Sequence, residues 1–292
     1  MERESMEIFR RRSLEERSQI IMQQSYMIVD LGLCFDCNNC FMSCKDEYVG
    51  NVWAPYSDEQ PRHGHKWIDI KMKERGTYPR IDVAYAAVMC QHCENCPVEK
   101  LAPECFTRLE NGILLIDSAK AVDKKELVKA CPYGAIAWNE EKCTAQKCTM
   151  CAHILASKEE PKMPRCAHSC PTEAIKYYEL DEAELAAMIE KEGLEEWRPE
   201  LNSKPHVFYK NLYRYTKAFI WGELLKDGEC AEGITVTLKG ADVEAETVTD
   251  EFGEFKFDKL APGKYDVLVD GNVIAKGVKV KESVNIGEIV LA

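Results

Sequence analysis

Fifteen cysteines stand in this chain, and most of them are spaced as ligands. Cys34, Cys37, Cys40 and Cys44 form a C-x2-C-x2-C-x3-C run. That spacing wraps one loop of chain around a cubane iron–sulfur cluster and sends the fourth thiolate across to another. Cys90, Cys93 and Cys96 repeat the first three positions, and Cys148, Cys151, Cys166 and Cys170 repeat all four with the middle stretched by ILASKEEPKMP. Two Cys-Pro segments, CPYGAIAW from Cys131 and CPTEAIKYY from Cys170, share C-P-x-x-A-I. Proline after a ligand fixes φ, removes an N–H and turns the chain off the cluster. The chemistry of such a set is one-electron transfer. No acid–base or nucleophilic constellation competes with it, since Glu140-Glu141, Glu159-Glu160 and Glu195-Glu196 read as solvated faces.

Pairing the first motif with the last gives two interlocked clusters. Cys34, Cys37 and Cys40 are closed by Cys170, while Cys148, Cys151 and Cys166 are closed by Cys44. A third cluster takes Cys90, Cys93, Cys96 and Cys131; Cys96 keeps the loop compact, and Cys105, nine residues on, is the alternative to it. The stretch before Cys131, KAVDKKELVKA, holds no cysteine, so a fourth cluster has lost its ligands. Zinc is the competing metal, but it would leave the crossed fourth cysteines without a purpose. The cysteines left over, Cys105, Cys143 and Cys230, read as small buried or partly buried thiols. His92, His153 and His168 sit beside ligand cysteines and read as packing groups or as N–H donors to a cluster sulfur.

Composition narrows the class further. The net charge is −12, with 50 acidic and 38 basic side chains, which argues against a nucleic-acid surface because phosphate binding needs clustered Lys and Arg. A disulfide framework belongs to short secreted chains. The start, MERESMEIFRRRSLEERSQII, has no apolar stretch after Arg10-Arg11-Arg12, where an export signal needs one. No run approaches the roughly 18 apolar residues that cross a bilayer. The expectation is a cytoplasmic protein with no membrane span.

The elements that must position the ligands follow from the pattern. Residues 1–24 read as a charged extension and 25–198 as a ferredoxin-like α+β domain, a duplication carrying three clusters. MIVDL (27–31) and GILLID (112–117) alternate as strands leading into cluster loops. A single helix is expected over 181–197, opened by a capping box of Asp181 and Glu184. Residues 199–218 read as an aromatic connector. From 219 to 292, short alternating runs between Gly and Asp turns predict a small antiparallel β-sandwich or barrel. The stretch TDEFGEFKFDKLAPGKYDV resembles Cna-B and carboxypeptidase-regulatory modules.

Taken together, CFDCNNCFMSCKDE, RGTYPRIDV, CQHCENCP, ENGILLID, CPYGAIAWNEE, AQKCTMCAH and PKMPRCAHSC resemble the iron–sulfur β subunits of molybdopterin oxidoreductases of the dimethyl sulfoxide reductase family. Within it, the lost cluster and the appended β domain make the chain similar to the polyphenol transhydroxylases that interconvert pyrogallol and phloroglucinol. The resemblance implies three [4Fe–4S] clusters and a large catalytic partner in an αβ heterodimer. That partner would hold a molybdenum bis-(molybdopterin guanine dinucleotide) centre. The family's second motif, C-x2-C-x4-C, would place a cysteine at Val98, so the third ligand of the middle cluster is where the chain departs from the pattern. Two other readings are open: a related molybdoenzyme with net electron flow, such as a resorcinol hydroxylase or a reductase, and a chiefly structural partner chain.

Overall fold

The structure, a computed structural model, describes residues 23–291 except 65, 159 and 242. The charged N-terminal extension therefore lies almost wholly outside the described residues. The chain divides into two compact units. One is built mainly from residues up to 69 and from Ala87–Lys210; the other comprises Cys34–Asp36, Ile70–Ala86 and the chain from Asn211 on.

The first unit is organised by a three-stranded sheet with the strand Gln24–Asp30 at its centre. Its interior residues, Ser25 through Val29, are all buried, as a central strand requires. Ile175–Leu180 pairs with it antiparallel, Tyr26 opposite Tyr178, and Val207–Lys210 pairs parallel, Met27 opposite Val207. The aromatic stretch expected as a connector thus supplies a core strand, with Val207 and Tyr209 fully buried. The remaining pieces are short helices and two-stranded hairpins, such as Ile136–Asn139 with Thr144–Lys147. The helix predicted for 181–197 is shorter, Glu182–Glu192. Its capping box is present, with Asp181 and Glu184 bonding reciprocally, but Gly193 at φ 62 ends it as a left-handed cap.

The second unit holds two sheets around one apolar core that includes Ile220, Leu224, Val236, Leu238, Phe255, Phe257 and Val267. One sheet orders the strands Thr235–Lys239, Gly263–Val269 and Asn272–Val280 beside Glu244–Val248. The other is centred on Ala218–Lys226, flanked by Glu254–Leu260 antiparallel and by the last strand, Val284–Leu291, parallel. That parallel pair corrects the expectation of an all-antiparallel domain. Its long-range pairing has no turn signature in the sequence to announce it.

Residues 70–86, a hairpin arm, cluster with this unit through a buried charge network. The Arg75 side chain is 2% exposed and donates to Asp258 Oδ1 at 2.9 Å, to Asp82, and to Lys217 O at 3.1 Å. Arg214 also holds Asp82, at 2.7 Å.

A tight turn closes the strands here. The Asp250 carboxylate accepts from the N–H groups of Phe252 and Glu254, and Gly253 sits at φ 73. A Cβ at Gly253 would press into the Leu224 carbonyl, which is backbone and cannot give way. Gly253→Ala is expected to lower the stability of this unit by about 1–3 kcal/mol, read as a fall in its urea midpoint at constant slope.

Candidate iron–sulfur centres

The first C-x2-C turn of each motif is made the same way. The residue before its second cysteine takes left-handed backbone: Asp36 at φ 61, His92 at φ 50 and Met150 at φ 52. Such residues cost of order 1 kcal/mol each, and they persist where the surroundings over-determine them. The two Cys-Pro turns match in turn. Gly134 at φ 63 and Glu173 at φ 54 stand three residues past the cysteine, and their N–H groups bond Cys131 O and Cys170 O at 3.0 and 3.2 Å. A strand follows in both cases, Ile136–Asn139 and Ile175–Leu180.

Two enclosed cavities lie in the first unit. One, a cavity of about 20 Å³, is lined by Cys44, Cys148, Cys151 and Cys166 among apolar neighbours that include Met27, Trp67, Met89 and Met150. The other, also about 20 Å³, is lined by Cys90, Cys93, Cys96 and Cys131 with Pro97, Leu114, Pro132 and Lys147. Each holds four thiols, no carboxylate, and the two are nearly equal in size. A single zinc ion would draw its donors in to about 2.3 Å. Among the described residues no group of three or more His, Cys, Asp or Glu side chains is gathered for one ion. Soft thiolate donors spread around a closed apolar space suit a polynuclear iron–sulfur centre.

The thiols resist ionisation as they stand. Burial pushes Cys44 and Cys166 well up, and the neighbouring thiols of the same quartet add to it. Burial and Cys90 push Cys148 up to about 12, and burial with Cys90 pushes Cys93 likewise to about 12. Metal ligation needs all of them deprotonated, so loading iron must release these protons. The chain supplies donors for the resulting sulfur charge. Gln60 Nε2 reaches Cys44 Sγ at 3.6 Å, and the N–H groups of Met150 and Arg165 reach Cys148 and Cys151 at 3.3 and 3.4 Å. The N–H groups of Val98 and Glu99, opening the helix Pro97–Leu101, favour the Cys96 thiolate, and the Ser203 hydroxyl favours that of Cys93.

In the first quartet, Cys34 belongs to the second unit and Cys37, Cys40 and Cys170 to the first. Its loops are tied locally. Ser43 bonds Ser169 Oγ at 2.8 Å, which holds the Cys40–Cys44 turn to the segment before Cys170. Cys37 is exposed, whereas Cys40 is buried.

Cys105 and Cys96 part company. Cys96 lines the cavity; Cys105 is fully buried in an apolar cluster with Val98, Ala102, Leu127 and Ile136, its Sγ donating to Lys120 O at 3.2 Å. The KAVDKKELVKA stretch fills the same cluster through Ala121 and Leu127. Sequence reasoning missed two signals here. Ala102-Pro103 stands where a fourth motif cysteine and its proline would fall after Val98, and Cys96-Pro97 is a further Cys-Pro that opens a helix. Cys143 and Cys230 are exposed, correcting the expectation of buried thiols. His92 and His153 are packed as expected: His92 Nδ1 accepts from Leu114 N–H at 3.2 Å, and His153 bonds Glu47 at 2.9 Å and stacks on Trp53. Burial favours the neutral form of both. No helix among the described residues is long and apolar enough to cross a membrane.

Residues 81–180 match the family model of a 4Fe-4S dicluster domain, and residues 219–283 match the second β-sandwich domain of NOMO1-like BOS complex subunits. The pyrogallol hydroxytransferase small subunit of Pelobacter acidigallici is 47% identical over 253 residues, covering 86% of this chain and 92% of that one. Thiosulfate reductase electron transfer subunit PhsB of Salmonella typhi is 30% identical, covering 58% of this chain and 83% of the relative. The arsenate respiratory reductase iron-sulfur subunit ArrB of a Shewanella species is 24% identical, covering 63% of this chain and 94% of the relative.

Proposed function

Because the chain belongs to the family of pyrogallol hydroxytransferase small subunits, we propose that it is the iron–sulfur subunit of a cytoplasmic molybdenum enzyme moving hydroxyl groups between polyhydroxybenzenes. Its partner is a large chain that holds molybdenum bis-(molybdopterin guanine dinucleotide) and binds the phenols, in an αβ heterodimer. When bound, three [4Fe–4S] clusters supply one-electron equivalents to and from that centre.

The observation that carries the reading is the pair of closed cavities, each lined by one quartet of thiols. Cys44, Cys148, Cys151 and Cys166 hold one cluster; Cys90, Cys93, Cys96 and Cys131 hold another, with Cys96 preferred to Cys105 because Cys96 lines the space. Cys34, Cys37, Cys40 and Cys170 hold the third, and the matching Cys-Pro turns support a duplicated ferredoxin ancestry. Trp67 and Met89 at one buried site, and Leu114 at the other, help to exclude water from the thiolates. The apolar filling around Cys105 replaces a fourth site, which suits a reaction with no net oxidation.

Hydrogen bonds to ligand sulfur tune potential. The Tyr133 and Ser203 hydroxyls bond at 2.7 Å, and the Ser203 hydroxyl also bonds Cys93, favouring its thiolate. Ser203→Ala is expected to lower the potential of that site by about 20–65 mV, the one-electron equivalent of a single hydrogen bond. A redox titration of the complex checks it.

The function itself is tested by turnover of the purified complex under anaerobic conditions. Pyrogallol should convert to phloroglucinol with no reduction of an added dye. Stoichiometric dye reduction would instead make the enzyme a net hydroxylase. Dithionite-reduced clusters that exchange no electrons with molybdenum would leave this chain with a structural role only.

A further inference from the structure

One buried cation stands beside both cavities with no carboxylate paired to it among the described residues. Lys147 ends the strand Thr144–Lys147 and is 2% exposed. Its ammonium donates to Leu114 O and, at 3.1 Å, to Cys148 O, both neutral carbonyls. Among the described residues it meets no carboxylate in an ion pair. Lys124, Lys125 and Lys142, by contrast, pair with Glu104, Glu140 and Glu59.

Its place is shared between the sites. Lys147 lines the cavity of Cys90, Cys93, Cys96 and Cys131, and the next residue in the chain, Cys148, lines the other. Leu114, whose carbonyl it holds, also lines the first cavity and donates its N–H to His92 Nδ1. Ammonium, Leu114 peptide and buried imidazole therefore form one fixed unit. An isolated charge so far from water is very costly, and buried ammonium groups persist only when paired with negative charge. Four thiolates around an iron–sulfur core supply such charge, and each one-electron reduction adds one negative unit to it.

We propose that Lys147 is the shared counter-charge of the two buried cluster sites and raises the reduction potentials of both by stabilising their reduced states. The positive charge also favours the thiolate forms of Cys96 and Cys148, one ligand in each quartet. The inference rests on the ligand reading above and goes beyond it in naming the residue that sets the potentials.

The test is a reductive titration of the anaerobically purified native complex, followed by electron paramagnetic resonance, for wild type, Lys147→Gln and Lys147→Arg. Glutamine keeps a donor for the carbonyls without the charge; arginine keeps the charge. In Lys147→Gln the potentials of two clusters should fall by at least a tenfold change in oxidised-to-reduced ratio, about 59 mV for one electron. The third cluster should not move, and Lys147→Arg should stay close to wild type. Unchanged potentials in Lys147→Gln with all iron retained would overturn the proposal. Iron lost from Lys147→Gln but kept in Lys147→Arg would support it, since the charge alone differs in kind. Iron lost from both variants would overturn it in favour of packing. A wild-type complex without clusters would instead refute the ligand reading.

Discussion

Cys166→Ser is expected to remove about four iron atoms per small chain from the native complex, the content of one cubane cluster. Cys166 is buried, and its thiol is pushed well up by burial and by Cys151, Cys148 and Cys44 around the same cavity. A serine there offers a poor soft-metal ligand. Without the metal core, the space that Cys44, Cys148 and Cys151 line with Met27, Trp67 and Met89 has nothing to hold it open. The cavity abuts Met27 of the central strand, so loss of the cluster should also unfold the first unit cooperatively. The contrast is Cys105→Ser. Cys105 touches apolar neighbours and Lys120 O, and its replacement should keep all the iron at a cost of about 1–3 kcal/mol for a buried hydroxyl. Iron retained by Cys166→Ser, or a cluster lost from Cys105→Ser, would reverse the assignment of the quartets.

The second large effect falls in the other unit. Arg75→Ala is expected to destabilise it by about 3–5 kcal/mol, because removing one partner of a buried ion network strands the others. Asp82 and Asp258, 20% and 23% exposed beside Arg75, would then face each other's charge with Arg214 and Lys256 as their remaining cations among the described residues. Both carboxylates are held below their ordinary range in the folded chain, by Arg214 and Arg75 at Asp82 and by Arg75 and Lys256 at Asp258, against the opposing effect of burial. A lowered folded value means their contribution is present above the unfolded carboxylate pKa and is lost as pH falls through the folded one. Urea unfolding should therefore show the wild type losing stability below about pH 4. Arg75→Ala should show a shallower acid dependence. An Arg75→Ala midpoint within error of wild type at pH 7 would mean the network contributes nothing.

The cysteine motifs were readable in the sequence because their turns are local. C-x2-C and Cys-Pro turns place donors within a few residues of each other, and the shared left-handed positions at Asp36, His92 and Met150 show the same turn each time. The capping box of Asp181 and Glu184 was readable for the same reason. What could not be read was long-range. Val207–Lys210 looked like an aromatic linker, yet it pairs with Met27–Asp30 from the far end of the first unit. The parallel partnership of Ala218–Lys226 with Val284–Leu291 has no turn between its strands to advertise it. Between Cys96 and Cys105, spacing favoured Cys96 because it keeps the loop compact, with Cys105 as the alternative. Packing separates them: one faces a closed space and the other sits among Val98, Leu127 and Ile136. The exposure of Cys143 and Cys230 escaped because a lone cysteine carries no pattern.

The most direct measurement is a metal analysis of the complex purified anaerobically from its native source. The account predicts about 12 iron atoms and one molybdenum per copy of this chain, beside a large second subunit. About 16 iron would mean that a fourth cluster stands where the apolar cluster around Cys105 is assigned. About 8 would remove one of the three quartets. Iron with neither molybdenum nor tungsten, and no large partner, would contradict the molybdoenzyme reading outright.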